Sequence, residues 1–315
     1  MRLVPRRLVL VGTVLVDILV YLDRMPDPGG VGMARRSVVT AGAGYNVLAG
    51  AVRLGLPAAY AGLVGGGPFG RLVAGALEEI GVPVLLAPRE ADTGFGVGLV
   101  QLHSDQQPTF LGAPGVESTL GPGELRSIPL LPSDAVYLSG YDLVYPGQGE
   151  ALASWVADLG PKHLLVFDPG PMVAQIAPDR LEAAVGRADI LSLNLVEAAA
   201  LVGQGRPPEL AAGIAERVGA GGWVVLRGGA RGCWVARRGE RPRHVRARPT
   251  TAVDPTGAGD AHVAALLARL AAGASLPEAA RWANVAASLA IERLGPATGP
   301  TAEELERALE ADGLD

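Results

Sequence analysis

The chain has 315 residues, 49% hydrophobic and 19% charged, enough apolar material to bury a large core in one sizeable α/β domain or two smaller ones. A net charge of -5, with arginines spread along the chain rather than clustered, excludes the basic surface that a nucleic-acid partner needs. Cys233 is the only cysteine, which excludes an internal disulfide or a cysteine-built metal cluster and points to a cytoplasmic setting.

The N-terminus carries Arg2, Arg6 and Arg7 ahead of an apolar stretch, as a secretory signal does. Asp17 interrupts that stretch and no small-residue cleavage site follows in register, so the segment reads as a buried first strand, Leu8 to Val14. No segment reaches the roughly 18 apolar residues of a membrane helix. Val- and Leu-rich runs then alternate with Ala-rich helical stretches: LVLVG, NVLAGAVRLG, AAYAGLV, FGRLVAGALEEIG, and onward through HLLVFD, ILSLN, WVVLRG and DAHVAALLARLAAG. This alternation specifies a mostly parallel sheet covered by helices on both faces, in a single domain over residues 1–315. Residues 14–41, with the turn-rich MPDPGGVG, and 93–112, TGFGVGLVQLHSDQQPTFLG, break the pattern and read as a small β lid.

Lys162 is the only lysine and lies outside any G-x-x-x-x-G-K-[ST] frame, so a Walker A loop is absent and a lysine Schiff-base enzyme has little to build on. If phosphate is handled, backbone amides, arginine and metal must do it. The segment Asp254-Pro255-Thr256-Gly257-Ala258-Gly259-Asp260, at the start of a helix, suits that task. The amides of Gly257, Ala258 and Gly259 lie free at a helix N-terminus, which favours an anion. Asp260 is then either a base for an attacking hydroxyl or a plain helix cap.

The segment resembles the D-T-x-G-A-G-D motif of ribokinase-like (PfkB-type) carbohydrate kinases, with Pro255 where threonine is usual. The resemblance implies a ribokinase-like three-layer α/β fold with a β lid, and ATP-dependent phosphorylation of a hydroxyl on a sugar or sugar-like molecule, with Mg2+. It makes Asp260 the general base and Gly257-Ala258-Gly259 the anion hole, and sets Asp254 beside a monovalent cation such as K+. Ala41-Gly42-Ala43-Gly44-Tyr45-Asn46 resembles the family's Gly-Gly-x-x-x-Asn sugar signature, and Asp17 its substrate-binding aspartate; for Asn46 a helix N-cap is the competing reading. Asn194-Leu195-Val196-Glu197 resembles the N-x-x-E motif that organises Mg2+ through water, although Asn at N-cap with Glu at N3 also makes a capping pair. Arg227-Gly228-Gly229-Ala230-Arg231-Gly232 resembles the strand-end T-x-G-x-x-G, with Arg227 able to reach a phosphate or to form an ion pair. Asn284 falls in a segment resembling those that flank adenine, so Asn194, Glu197, Arg227, Gly229, Gly232 and Asn284 are nucleotide-side candidates. Gly42, Gly44, Asp17, Asn46 and Asp142, the last at a strand's carboxyl end, are substrate-side candidates. Family lids often make dimer contacts, so a homodimer through the lid is expected too.

Two departures stand out. Gly67 replaces the aspartate of G-x-V-G-x-D-x-F-G, and Asp168-Pro169-Gly170-Pro171-Met172 replaces the D-x-N-x-R of several sugar-acid and hexose kinases. A nucleoside kinase is the main alternative within the family. Gly65-x-Gly67-x-x-Gly70 formally allows a dinucleotide-dependent dehydrogenase, and a non-catalytic sugar sensor is a further alternative. His103, His163, His244 and His262 lack metal-ligand spacing, and the role of His262, two residues after Asp260, stays open.

Overall fold

A computed structural model describes residues 4–102 and 109–311; His103 and residues 104–108, where the sequence places the turn of the second lid segment, lie outside them. The strands are β1 (Arg7–Val11), β2 (Val14–Leu22), β3 (Arg36–Ala43), β4 (Ala58–Ala61), β5 (Phe95–Gln101), β6 (Thr109–Ala113), β7 (Asp134–Ser139), β8 (Leu164–Asp168), β9 (Ile190–Asn194), β10 (Trp223–Arg227), β11 (Cys233–Arg237) and β12 (Arg243–Val245). The helices are α1 (Tyr45–Arg53), α2 (Pro68–Glu79), α3 (Pro122–Ser127), α4 (Gly140–Val144), α5 (Gln148–Ala157), α6 (Pro178–Arg187), α7 (Leu195–Val202), α8 (Pro207–Ala215), α9 (Ala258–Ala271), α10 (Leu276–Ile291) and α11 (Ala302–Ala311).

Strand residues are apolar on both faces because both faces are covered. In β1, Leu8 and Leu10 join a core with α1, α2, α9 and α10, while Val9 and Val11 join one with α5, α6 and α8 on the other side. The eight-stranded sheet runs β12-β11-β10-β9-β8-β7-β1-β4, parallel from β10 to β4, with β11 and β12 antiparallel at one edge. This is the ribokinase-like three-layer arrangement.

The lid is a separate four-stranded sheet, β3-β2-β5-β6. β2 pairs antiparallel with β3 and parallel with β5, so the two lid segments interleave rather than form two independent hairpins. The strand expected from Leu8 to Val14 ends at Val11, and β2 starts anew at Val14. The break falls at Gly12, held at φ +134, where a Cβ would come within 2.2 Å of the Asp142 carboxylate.

Parallel packing gathers the carboxyl ends of β1, β7, β8, β9 and β10 along one rim, where ligands of such sheets bind. Register sets neighbours there: Ser139 pairs with Asp168, and Asn194 with Arg227.

Candidate active site

α9 begins after Gly257, which takes the left-handed φ of +77 that glycine permits. Asp260 lies in its first turn but does not cap it: the hydrogen bond its carboxylate accepts comes from the Asn46 side chain, Nδ2 to Oδ2, at 3.1 Å. Asn46 is no cap either, since the N-cap of α1 is Gly44 and Asn46 lies inside the helix. The pair meets because α1 packs closely on α9. A Cβ on Gly50 would approach that of Ala264 to 2.8 Å, and Gly50 and Ala264 each lie one turn beyond Asn46 and Asp260 on the same helix faces. The remaining amide oxygen of Asn46 is buried without a partner. A buried acceptor so placed fits a ligand hydroxyl.

Asp17, on β2, faces the same space from the lid. Its carboxylate lies over two glycines of neighbouring strands: a Cβ at Gly42 would come within 1.9 Å of Oδ2, and one at Gly96 within 3.1 Å of Oδ1. Gly42 is therefore needed to make room for Asp17. Ala43, held at φ +52, supplies a backbone hydrogen bond to the same carboxylate. Gly44 is needed for room as well, because its Cβ would strike Leu10 at 2.5 Å.

On the other side of Asp260, Arg227 ends β10 between two carboxylates. Its Nη1 lies 3.0 Å from Asp168 Oδ2 and its Nη2 3.4 Å from Glu197 Oε2. The guanidinium also lies against the start of α9, with Nη1 2.5 Å from where a Cβ of Gly259 would stand. Asn194 and Glu197 do form the capping box: Asn194 Oδ1 accepts from the amides of Val196 and Glu197, and Glu197 Oε2 accepts the Asn194 amide at 2.7 Å. Asp168 and Glu197 carry hard oxygen donors on either side of Arg227, and no group of three His, Cys, Asp or Glu that could hold a metal ion is found among the described residues. That donor set fits Mg2+ completed by water and phosphate oxygens.

Several candidates take other places. Asp142 is buried, accepting from Thr13 Oγ1 at 2.6 Å and Gln148 Nε2 at 3.3 Å, so it lies beneath the rim. Asn284 is bonded at both ends of its amide: the nitrogen donates to the carbonyls of Val245 and Arg246, and the oxygen faces His262 Nε2 at 3.2 Å. It anchors the chain leaving β12. His262 is buried against it, and burial, then the Arg227 charge, push the imidazole down to about 3, so it is neutral. Gly232 is required by the close backbone of Val245, 2.1 Å from its would-be Cβ, whereas Gly229 sits in an exposed turn at φ +59. Asp254 bridges two loops, one oxygen accepting the Thr256 amide and the other that of Gly295. The dehydrogenase reading fails because the amides of Phe69 and Gly70, which would cradle a pyrophosphate, are taken by Asp92. Asp92, unremarked in the sequence, fills the space where a side chain at Gly67 would stand, 2.2 Å from its would-be Cβ. The anchor missing at 67 is thus supplied from a residue 25 positions on, a swap visible only in space.

Burial raises the Asp260 carboxyl to about 7; Asn46 and Arg227 oppose the shift, while Asp168 and Asp17 add to it. Burial likewise raises Asp17 to about 6. kcat/KM should therefore rise with pH through a limb near 7 that belongs to the interacting pair. Asp17→Asn removes a charge that favours protonation of Asp260, so the remaining limb should move to lower pH; pH–rate profiles of both proteins check this.

A three-layer α/β core, a β lid bearing a carboxylate and a helix-start glycine turn beside a second carboxylate define a small-molecule kinase of ribokinase-like fold. The sequence profile of the pfkB family carbohydrate kinase matches residues 5–303, and the chain belongs to that family. It is 28% identical over 308 residues to the uncharacterized sugar kinase YegV of Escherichia coli, covering 94% of this chain and 91% of that one. It is 28% identical over 306 residues to a nucleoside kinase of Methanothermobacter thermautotrophicus, covering 96% and 95%. The structure of Arabidopsis thaliana ribokinase complexed with ribose and ATP superposes with a TM-score of 0.75 at 24% identity, over 97% of this chain and 99% of that one. No helix among the described residues is long and apolar enough to cross a membrane.

Proposed function

We propose that this chain, as one kinase domain over its whole length, transfers the γ-phosphoryl group of ATP to a hydroxyl of a neutral sugar or sugar-like polyol. The observation that carries this reading is the Asn46–Asp260 hydrogen bond, which joins the two motifs from opposite ends of the chain at one point. Asp260 takes the proton of the attacking hydroxyl, and Asn46 holds that carboxylate while its free oxygen receives a donor from the substrate. Asp17 accepts further hydroxyls from the lid side. The amides of Gly257, Ala258 and Gly259 receive the transferred phosphoryl group at the positive end of α9, with Arg227 alongside. Glu197 and Asp168 would hold Mg2+ through water, and the ion supplies charge neutralisation for the phosphates. Each oxygen of Asp254 keeps a lone pair beyond its amide bond, which suits a K+ ion there.

A neutral acceptor is favoured by charge: Asp17, Asp168, Glu197 and Asp260 face the site with Arg227, itself paired to two of them. A nucleoside is the second reading, supported by the Methanothermobacter relative and by Tyr141, an exposed aromatic ring whose phenol feels the charges of Asp260 and Asp17 and could stack on a base. A homodimer through the lid would cover Val39, Phe110 and Leu111, exposed on its two edge strands.

ADP release measured across neutral sugars, polyols, sugar acids and nucleosides tests the reading, and a sugar acid as sole acceptor would overturn the neutral assignment. Asp17→Ala should raise the acceptor KM by at least about tenfold and leave the ATP KM within about twofold. Equal weakening of both would remove Asp17 from the acceptor side.

A further inference from the structure

The chain crosses between core and lid four times: at Gly12–Val14, at Ala43–Tyr45, at Asp92–Phe95 and at Ala113–Val116. Three of the crossings are tied by hydrogen bonds to the buried side chains of Tyr60 and Glu117, which phosphotransfer leaves unused, and the fourth by a backbone bond to the first. The Tyr60 hydroxyl, fully buried, donates to the Gly12 carbonyl at 2.9 Å and accepts the Val14 amide at 3.0 Å, spanning the first crossing. Between those two contacts Thr13 donates to Asp142. The second crossing hangs on the first, because the Gly44 amide donates to the Thr13 carbonyl at 3.2 Å. Glu117, also fully buried, ties the remaining two together: Oε2 accepts the Gly94 amide and Oε1 the Gly115 amide, each at 2.8 Å. Gln148 links the group to the core, donating to Asp142 and accepting the Leu120 amide at 2.8 Å.

Buried carboxylates are costly unless fully bonded, and for stability alone an apolar cluster would serve as well. A group with four bonds to the hinge backbone gains something else: a unique hinge geometry. We propose that Tyr60, Glu117 and Asp142 form a polar clasp that sets the angle of the lid, and so are positioning residues for Asp17 and for exclusion of water from the phosphoryl group. The consequence for Asp17 rests on its reading as a substrate-binding residue. The clasp itself does not.

Two variants test it: Asp142→Asn, which keeps the shape, and Tyr60→Phe, which removes the hydroxyl that bridges Gly12 and Val14. In each, amide hydrogen exchange should quicken roughly tenfold in β2 and β5, matching the loss of about one buried hydrogen bond at the hinge, and stay unchanged in β8, β9 and β10. ADP release from ATP with no acceptor present should rise relative to the parent, because a loose lid admits water as the acceptor. A purely structural role would lower the unfolding temperature while leaving both readouts as in the parent, and that result overturns the proposal, as does exchange that quickens evenly through core and lid. Should Asp142→Asn fail to fold, Tyr60→Phe decides alone. Exchange is read without turnover, so a parent that phosphorylates no acceptor sinks the kinase reading and leaves the clasp to be judged on its own.

Discussion

Asp260→Asn should lower kcat by roughly 10²–10⁴, the usual contribution of a positioned general base, while the protein stays folded. The substitution keeps the size of the side chain and leaves an amide that can still meet Asn46. What it removes is the proton acceptor. Its stability profile adds an independent signature. Burial holds the Asp260 carboxyl at about 7, above its ordinary value, so the folded chain retains a proton that the unfolded chain has released. The stability this contributes is complete below the ordinary carboxylate range and is lost as pH rises to about 7. Above that pH the parent carries a buried charge that Asn lacks, and the variant should unfold at a higher temperature than the parent. A helix cap would behave the opposite way: turnover would survive and stability would drop by no more than about 1 kcal/mol. Near-parental turnover in the folded variant would remove Asp260 from the chemistry.

Arg227→Met should be the most damaging substitution for both stability and activity. Arg227 is 14% exposed and sits between Asp168 and Glu197, so its loss leaves two carboxylates facing each other without a cation. Removing one partner of such a buried pair costs about 3–5 kcal/mol, on the order of 10 °C in unfolding temperature for a chain of this size. If the guanidinium also meets the transferred phosphoryl group, kcat should fall by roughly 10³-fold, as for other arginines aimed at phosphoryl transfer. The stability effect is isolated in the triple variant Arg227→Met, Asp168→Asn, Glu197→Gln, where neutralising the carboxylates should restore much of the unfolding temperature. Activity is read in Arg227→Met alone, and near-parental turnover there would make Arg227 a structural ion pair only. Arg227→Lys, which keeps the charge and loses the planar fork, should fold and turn over slowly.

The glycine turn before Asp260 and its resemblance were open to reading because a helix-start anion site is built from a few consecutive residues. The same holds for the alternating apolar runs that gave the parallel sheet, and for Asn194 and Glu197, whose capping box is complete within four residues. Other positions owe their surroundings to distant parts of the chain. Asp142 stands at a strand's carboxyl end, where a ligand contact is a fair expectation, yet Gly12 and Thr13, 129 and more positions away, close over it. Asn284 lies in a matching segment but spends its amide on β12 and its oxygen on His262. Asp92 bears no motif and makes good the missing residue at Gly67 because two loops meet there.

By itself the sequence determined the fold class and the family, since periodicity, helix-start glycines and lone carboxylates in apolar runs act over short distances. Tertiary structure alone decided which of those carboxylates open onto the rim between core and lid and which are sealed beneath it. A carboxylate's role depends on what covers it, and here the covering groups come from distant strands: Gly42 and Gly96 leave Asp17 open to the site, while Thr13 and Gln148 consume Asp142.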